Sequence, residues 1–158
     1  MPHDPITDEL AAFITSGISI TLASRSPANI PSAARAKGCS LLRGTASRLR
    51  LFVSASQARQ VIADVKATGM ISVTFSVPET HRTVQLKGLD ARVAGMQPEE
   101  YALIEQYLRI FTIRIEPLGF SAEFTRAFFA SPGDEVALEF TPSDAFQQTP
   151  GPNAGARL

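Results

Sequence analysis

The sequence has little of what the common metal and redox sites require. Tryptophan is absent, Cys39 is the only cysteine, and the two histidines are His3 and His81. One cysteine can form neither an internal disulfide nor a cysteine-based zinc site, and within an apolar segment Cys39 is expected to behave as a small hydrophobe. Because His3 falls near the terminus, a histidine metal site is not expected either, and we predict no metal.

Long apolar runs are also missing. No segment approaches the roughly 18 uninterrupted apolar residues that span a bilayer, and no basic stretch followed by an apolar run opens the chain. A soluble, cytoplasmic protein without membrane contact is therefore expected. The length of 158 residues with 44% hydrophobic content predicts one globular domain over residues 1–140, followed by a Pro/Gly-rich tail over residues 141–158.

The charges are unevenly distributed although they sum to zero. Residues 25–87 contain ten Lys or Arg against two acids, whereas residues 99–144 contain nine acids against three Arg. A basic half favours an anionic partner, such as a phosphate group or a nucleic acid. For any single arginine, a solvated strand edge is the alternative reading.

Short strands dominate the pattern. Alternating or strongly apolar segments predict strands, and segments with helical spacing predict helices. Strands are predicted over residues 18–24, 33–42, 48–54, 70–77 and 82–93, and in pieces over 112–140. A bulge or bend at Gly88 interrupts the strand over 82–93. Helices are predicted over residues 6–17 and 57–68 and from Pro98 to Phe111. This order favours a mainly β protein, an antiparallel barrel with peripheral helices, over a doubly wound sheet.

Polar but uncharged strand faces mark a candidate site. Ser19 and Thr21 share one such face, and Ser72, Thr74 and Ser76 share another. Small hydroxyl faces fit a subunit interface or a cofactor bed, although the β-propensity of Ser and Thr on a solvent face explains them as well. On the next strand, the period of two places Thr83, Gln85 and Lys87 on one face and Arg82, Val84 and Leu86 on the other. Such a face offers a hydroxyl, an amide and an ammonium group to a flat heterocycle with a phosphate tail.

The order of these elements, with the segment Arg82-Thr83-Val84-Gln85-Leu86-Lys87-Gly88, resembles the pyridoxamine 5'-phosphate oxidase-like FMN-binding split barrel over roughly residues 6–93. The resemblance implies an antiparallel six-stranded Greek-key-type barrel that holds FMN at a homodimer interface. It also implies that basic residues hold the phosphate and that strand residues hold the ring edge. The cofactor-binding residues that it implies are Arg35, Ser54, Arg82, Thr83, Gln85 and Lys87.

The C-terminal segment resembles the endings of uncharacterised members of the same superfamily. Gln148 and Thr149 precede Pro-Gly-Pro, so they are expected to form a stiff, donor-bearing segment that reaches the flavin site across the dimer. A disordered end is the alternative.

Three departures from the family's oxidase pattern argue against the vitamin-forming reaction itself. Residues 54–59 lack the expected lysine, Thr83 stands where the pattern has glutamine, and the Arg-rich C-terminal end is missing. The leading hypothesis is therefore another FMN-dependent oxidoreductase acting on a small-molecule redox substrate. Its catalytic residues are unassigned, and His81 is a weak proton-relay candidate whose alternative role is that of a turn residue.

Two other functions compete with this hypothesis. The first is a non-catalytic module that binds or senses flavin, deazaflavin or haem. The second is nucleic-acid binding through the basic half, which the lack of aromatic residues on the polar strand faces disfavours. Phosphate recognition explains the same charge, so no nucleic-acid partner is expected.

Overall fold

The computed structural model describes residues 3–158 and contains two antiparallel sheets with helices packed around them. In that range the helices are α1 (Asp8–Ile14), α2 (Arg59–Thr68), α3 (Glu100–Ile115) and α4 (Ala122–Phe128), with a 3₁₀ turn over Glu116–Leu118 between the last two. The strands described are β1 (Ser19–Arg25), β2 (Pro31–Arg35), β3 (Cys39–Leu42), β4 (Arg48–Ser54), β5 (Ile71–Ser76), β6 (Thr83–Gly88), β7 (Arg92–Ala94), β8 (Glu135–Phe140) and β9 (Asp144–Gln147).

The two sheets differ in strand order. Sheet 1 has the order β2-β1-β5-β6-β9 and sheet 2 has the order β3-β4-β8-β7. The apolar residues of β1 and β5 alternate as the sequence predicts, so that Ile20, Leu22, Val73 and Phe75 are buried while the residues between them are half-buried. The mainly β, antiparallel architecture expected from the sequence is confirmed.

One predicted strand is two strands in the structure. Residues 33–42 divide into β2 and β3 because the chain passes there from sheet 1 to sheet 2. The amide of Ala36 still donates to Ile20 of β1, whereas the amide of Lys37 donates to Phe52 of β4. Gly38 has φ 138°, and a Cβ there would lie 3.3 Å from Cβ of Tyr107, so both its conformation and its close packing favour glycine.

The predicted strand over residues 82–93 is also divided, into β6 of sheet 1 and β7 of sheet 2. Gly88 is the last residue of β6 rather than a bulge. A Cβ at this position would lie 2.4 Å from a ring carbon of Phe140 and 3.0 Å from the carbonyl oxygen of Thr141. Close approach of another segment therefore requires the glycine.

The prediction of strands over residues 112–140 is wrong for most of that range. Residues 112–115 continue α3, and α4 follows, so that only β8 is extended. The buried residues of α3 include Ile104, Tyr107, Phe111 and Ile115, and this helical spacing continues through the β-branched and aromatic stretch that resembles a strand locally. Burial of one face overrides local propensity here.

The segment over residues 141–158 is attached to sheet 1. β9 pairs with β6 in antiparallel register, with Gln85 opposite Phe146. The chain then turns back, and the amides of Gln147 and Gly155 form backbone hydrogen bonds to Ala156 and Gln147, respectively. This return covers the outer edge of β9, where unpaired backbone groups would otherwise be open to another strand.

Candidate functional site

Most of the polar side chains predicted as site residues lie on one surface, which we call the outer face of sheet 1; Arg82 and Ser54 do not. Its members are the residues of β2, β1, β5, β6 and β9 whose side chains point away from the barrel core. Strand register aligns them in rows: Arg35, Thr21, Thr74, Gln85 and Phe146 form one row, and Ala33, Ala23, Ser72, Lys87 and Asp144 form the next. The uncharged centre of this face is half-buried.

Gln85 lies near the middle of a hydrogen-bond chain on this face. Its Nε2 donates to Oγ of Ser72 at 2.8 Å, and its Oε1 accepts from Nε2 of Gln148 at 3.1 Å. These two contacts fix which way the amide points. One N–H and one lone pair of the Gln85 amide remain for a ligand.

Thr83 and Thr149 connect the C-terminal segment to the start of β6. The amide of Thr83 donates to Oγ1 of Thr149 at 3.0 Å, and the amide of Gln148 donates to the carbonyl oxygen of Thr83 at 2.9 Å. Oγ1 of Thr83 also lies 2.7 Å from Oγ of Ser76. The C-terminal segment therefore joins the outer face of its own chain.

Lys87 supplies positive charge at the other end of β6. Its ammonium nitrogen lies 5.1 Å from the ring centroid of Phe146, a cation–π arrangement. With Arg25, Ser72 and Leu89, it lines a surface pocket of about 410 Å³. The described lining of this pocket contains two cationic side chains and no acidic one.

Arg35 lies at the opposite edge of the outer face. Its Nη1 donates to Oγ of Ser19 at 2.8 Å, and its guanidinium carbon lies 5.4 Å from the ring centroid of Phe128 on α4. Three strand spacings of about 4.8 Å each separate its strand from that of Gln85. Arg35 is thus on the same face as the Gln85 cluster but not in contact with it.

Arg82 points to the other side of β6, as the period of two predicts. Its guanidinium contacts Glu9 at 3.1 Å and lies 4.6 Å above the ring of Phe13, both on α1. Arg82 therefore links the β5–β6 hairpin to α1 through an ion pair and a cation–π contact. His81 precedes it in the left-handed conformation, with φ 62°, and its side chain is exposed.

Ser54 also lies away from the outer face, at the end of β4. Its Oγ donates to Oδ1 of Asp134 at 2.7 Å, and the amide of Ser56 donates to Oδ2 of the same carboxylate at 2.7 Å. Hydrogen bonds from Ser56 and Ser54 lower the pKa of Asp134 to about 2. A carboxylate of the chain itself thus accepts the hydrogen bond of Ser54, which the resemblance assigns to cofactor binding.

The basic half of the sequence pairs in part with the acidic half. Of its ten cations, Lys37, Arg48 and Arg50 lie within 4 Å of a carboxylate of the acidic half, and Arg43 and Arg82 lie within 4 Å of carboxylates of α1. Within residues 3–158, five others form no such ion pair: Arg25, Arg35, Arg59, Lys66 and Lys87. Three of these five belong to the outer face or to the pocket at its end.

Arg50 is at the centre of a buried ionic cluster in sheet 2. It donates to Glu100 at 2.6 Å and to Glu139 at 2.7 Å. Burial alone would raise the pKa of both carboxyls, but hydrogen bonds from Arg50 and the Gln97 amide to Glu100, and from Arg92 and Arg50 to Glu139, hold both pKa values below their usual range. Because every charge in the cluster has a partner, we assign it a structural role.

The aromatic side chains that border the outer face are not among the predicted site residues. Phe124 and Phe128 fall in the range predicted as strands, although Phe120, Phe124 and Phe128 have the four-residue spacing of one helical face. Phe146 lies in the segment treated as a tail, and its spacing of two from Asp144 and Gln148 was the available signal. The partner of each ring, Arg35 or Lys87, is far away in sequence.

Cys39 is unsuited to chemistry in this fold. Burial raises the pKa of its thiol to about 12, and Sγ faces the carbonyl oxygen of Ile14 at 3.4 Å. Within residues 3–158, no group of three or more His, Cys, Asp or Glu side chains is arranged to hold a metal ion. None of the helices in the described range has both the length and the apolar character needed to cross a bilayer.

The chain matches no protein-family model and no curated protein sequence. Its structure is similar to that of HupZ from Group A Streptococcus, with a TM-score of 0.56 and 14% identity over 95% of this chain and 99% of that one. An F420 reductase matches with a TM-score of 0.53 and 13% identity over 89% of this chain and 98% of that one. A candidate pyridoxamine 5'-phosphate oxidase from Lactobacillus delbrueckii matches with a TM-score of 0.53 and 8% identity over 89% of this chain and 93% of that one. At these identities the likeness establishes the fold.

Proposed function

We propose that this chain, which has the split-barrel fold of the pyridoxamine 5'-phosphate oxidase-like proteins, binds FMN on the outer face of sheet 1 and works as a flavin-dependent oxidoreductase. The observation that carries the proposal is the cluster of Thr83, Gln85, Gln148 and Thr149, with Lys87 further along the same strand face. The cytoplasmic location predicted from the sequence belongs to the same proposal.

The donors on this face suit a flavin ring. The polar edge of an isoalloxazine alternates hydrogen-bond donors and acceptors, and the oriented Gln85 amide offers one of each. Ser72 and Gln148 hold that amide in place, so little conformational freedom is lost when a ligand binds. The hydroxyl groups around it are small and allow a flat ring to approach closely.

The cations suit the phosphate of FMN. Lys87 and Arg25 line one pocket of about 410 Å³ next to Ser72, and neither forms an ion pair within residues 3–158. We assign the phosphate to this pocket. Ser54 is left out of the proposed site because its hydroxyl donates to Asp134, and Arg82 is left out because it contacts α1.

Bound FMN would supply the redox chemistry, while the protein supplies position and electrostatics. Thr83, Gln85 and Gln148 orient the ring, and Lys87 and Arg25 attract the anionic end of the ligand. No residue is assigned as a general acid or base. The exposed His81 lies two positions before Thr83, and its role as a proton relay stays a prediction.

A homodimer is part of the proposal. The centre of the outer face consists of half-buried, hydroxyl-bearing side chains, which are small enough for a second chain to approach closely. A second copy placed over this face would enclose the ring from the other side and exclude water. Sedimentation equilibrium should give twice the chain mass, whereas a monomer at micromolar concentration would contradict the enclosed site.

The second candidate is a non-catalytic module that binds or senses flavin, deazaflavin or haem. The fold neighbour named F420 reductase favours a deazaflavin among these. The residues in direct register with Gln85 are Thr74 and Phe146, neither of which can transfer a proton near neutral pH, and this favours binding without catalysis.

Reconstitution with each cofactor separates these candidates. The purified protein is mixed with FMN, F420 or haem, freed of excess ligand, and examined by visible absorption; NADH and NADPH oxidation is then measured. Retention of FMN at one per chain with nicotinamide oxidation supports the oxidoreductase. Retention of any of the three without turnover supports the binding module, and retention of none contradicts both.

Comparing FMN with riboflavin tests the phosphate assignment. Loss of a charge-assisted hydrogen bond of about 1.5–3 kcal/mol should weaken FMN binding to Lys87→Ala roughly tenfold or more, while riboflavin binding stays nearly unchanged. The matched control is Lys66→Ala, which removes a lysine from the last turn of α2. Equal FMN affinity in the two variants would show that the phosphate does not bind at Lys87.

A further inference from the structure

Exposed aromatic rings line one edge of the proposed site. Phe120, Phe124 and Phe128 are 43%, 46% and 50% exposed, and successive ring centroids lie 5.2 and 5.8 Å apart. Together they form a continuous apolar surface, which we call the α4 ridge. Grouped exposed aromatic rings mark ligand or partner sites more often than single ones do.

The α4 ridge is held by the core. Phe128 packs edge-on against the buried Phe129, with their ring centroids 5.1 Å apart. The Phe129 centroid in turn lies 5.5 Å from that of Phe111 and 6.0 Å from that of Tyr107. Both Phe111 and Tyr107 are buried residues of α3. The ridge is therefore anchored in packed structure and offers a preformed surface.

Arg35 gives this edge a charge. Its guanidinium lies over Phe128 at 5.4 Å and donates to Ser19 at 2.8 Å, and no carboxylate of residues 3–158 lies within ion-pair distance. A guanidinium group has five N–H donors, so most of them remain for an anion. The ring and the hydroxyl together restrict its orientation, which lowers the entropy lost when it binds a ligand.

The position of this edge separates it from the proposed flavin contacts. Arg35 is on the edge strand β2, and Gln85 and Lys87 are on β6, three strands away in sheet 1. The intervening residues Thr21 and Thr74 are uncharged. A ligand at Arg35 would thus share the outer face with a flavin that contacts Gln85.

We infer that Arg35 and the α4 ridge form the substrate side of the site and bind a flat aromatic molecule that carries a carboxylate or another anionic group. The ring of the ligand packs on Phe124 and Phe128, and its anionic group pairs with the guanidinium of Arg35. The role of this edge as a substrate site rests on the proposed function, whereas the existence of the aromatic-anion site does not.

Calorimetric titration with 2-naphthoate and with the uncharged 2-naphthamide tests this inference, first on the FMN-free protein. The wild type should bind the carboxylate at least tenfold more tightly than the amide. Arg35→Gln should abolish that preference. The double variant Phe124→Ala/Phe128→Ala should weaken both ligands at least fivefold, because both lose the ring surface.

Arg126→Gln is the matched control, since it removes a cation from α4 without touching Arg35. It should retain the wild-type preference for 2-naphthoate. The inference is overturned if the wild type binds both ligands equally, if Arg35→Gln keeps the preference, or if Arg126→Gln loses it. It is also overturned if the double phenylalanine variant binds both ligands like the wild type while its thermal melt remains cooperative.

A parallel FMN titration separates this inference from the proposed function. If Arg35→Gln weakens FMN at least tenfold and leaves 2-naphthoate unchanged, Arg35 is a cofactor ligand and the inference is wrong. If the protein never binds FMN but shows the naphthoate preference at Arg35, the proposed function fails and the aromatic-anion site stands. If FMN binds and the preference is absent, only this inference fails.

Discussion

Gln148 donates a hydrogen bond to Oε1 of Gln85 at 3.1 Å, linking the C-terminal segment to the middle of the strand that bears the candidate site. The two residues are 63 positions apart in sequence, and β9 brings them together by pairing with β6. With the bond from Gln85 to Ser72, this contact leaves the Gln85 amide one orientation. The C-terminal segment is therefore part of the site.

Removal of the Gln148 amide should loosen Gln85. In Gln148→Leu the Gln85 amide can rotate, and the loss of one hydrogen bond of about 0.5–1.5 kcal/mol corresponds to FMN binding roughly two- to tenfold weaker. Quenching of FMN fluorescence measures the affinity. Gln97→Leu is the control because Gln97 is exposed and lies before α3. An equal loss of FMN affinity in the two variants would show that Gln148 does not belong to the site.

Arg50→Met should strongly destabilise the fold. The substitution leaves the buried Glu100 without the cation that donates to it at 2.6 Å, and breaking a buried ion pair from one side costs about 3–5 kcal/mol. Urea unfolding gives the change in free energy. Arg92→Met removes a 63% exposed partner of Glu139 and should cost about 1 kcal/mol or less. Similar values for both variants would contradict the structural role assigned to Arg50.

Gly88→Ala should destabilise the junction of the two sheets. Its Cβ would lie 2.4 Å from a ring carbon of Phe140, which is 1% exposed, and 3.0 Å from the carbonyl oxygen of Thr141. Overpacking of this kind costs about 1–3 kcal/mol. Gly95→Ala should change the free energy of unfolding by less than about 1 kcal/mol, since no atom outside Gly95 and its two chain neighbours lies within 4 Å of the added carbon. A smaller loss at Gly88 than at Gly95 would show that the close approach is absent.

Asp134 should make stability depend on pH in the acid range. Its pKa falls from an ordinary value of 3.8 to about 2 in the folded chain, so its contribution is fully present above the ordinary value and disappears as pH falls toward 2. Wild type should thus be more stable than Asp134→Asn at pH 6, and the two should converge between about pH 5 and pH 2. Chemical denaturation across this range measures the difference in free energy of unfolding between the two proteins. A difference that stays constant with pH would contradict the contacts of Asp134 with Ser54 and Ser56.

Some of the site could be predicted from the sequence because it depends on one strand. The period of two separates Thr83, Gln85 and Lys87 from Arg82 without knowledge of the neighbours, and the structure places them accordingly. Contacts between strands could not be predicted in the same way. The approach of Gln148 to Gln85, or of Asp134 to Ser54, depends on contacts over more than 60 positions that no local pattern contains.

The errors in the fold prediction have a related cause. Ile113, Phe120, Phe124 and Phe128 favour strands by local propensity, yet the chain there is helical or turns because one helical face packs on the barrel. The spacing of the three phenylalanines is the signal that would have corrected the prediction. The place of Phe128 beside Arg35 could not be predicted, because the two residues are far apart in sequence and only the fold brings α4 near the end of β2.

The most direct test of the account is the affinity for FMN of Gln85→Leu beside the wild type and Gln97→Leu, measured by quenching of FMN fluorescence. Wild type and Gln97→Leu should bind one FMN per chain with the same affinity. Gln85→Leu should bind roughly tenfold or more weakly, because it loses the ring contacts and leaves Gln148 and Ser72 without their shared partner. Absence of saturable FMN binding to the wild type, or equal affinity in all three proteins, would contradict the assignment of FMN to the outer face of sheet 1.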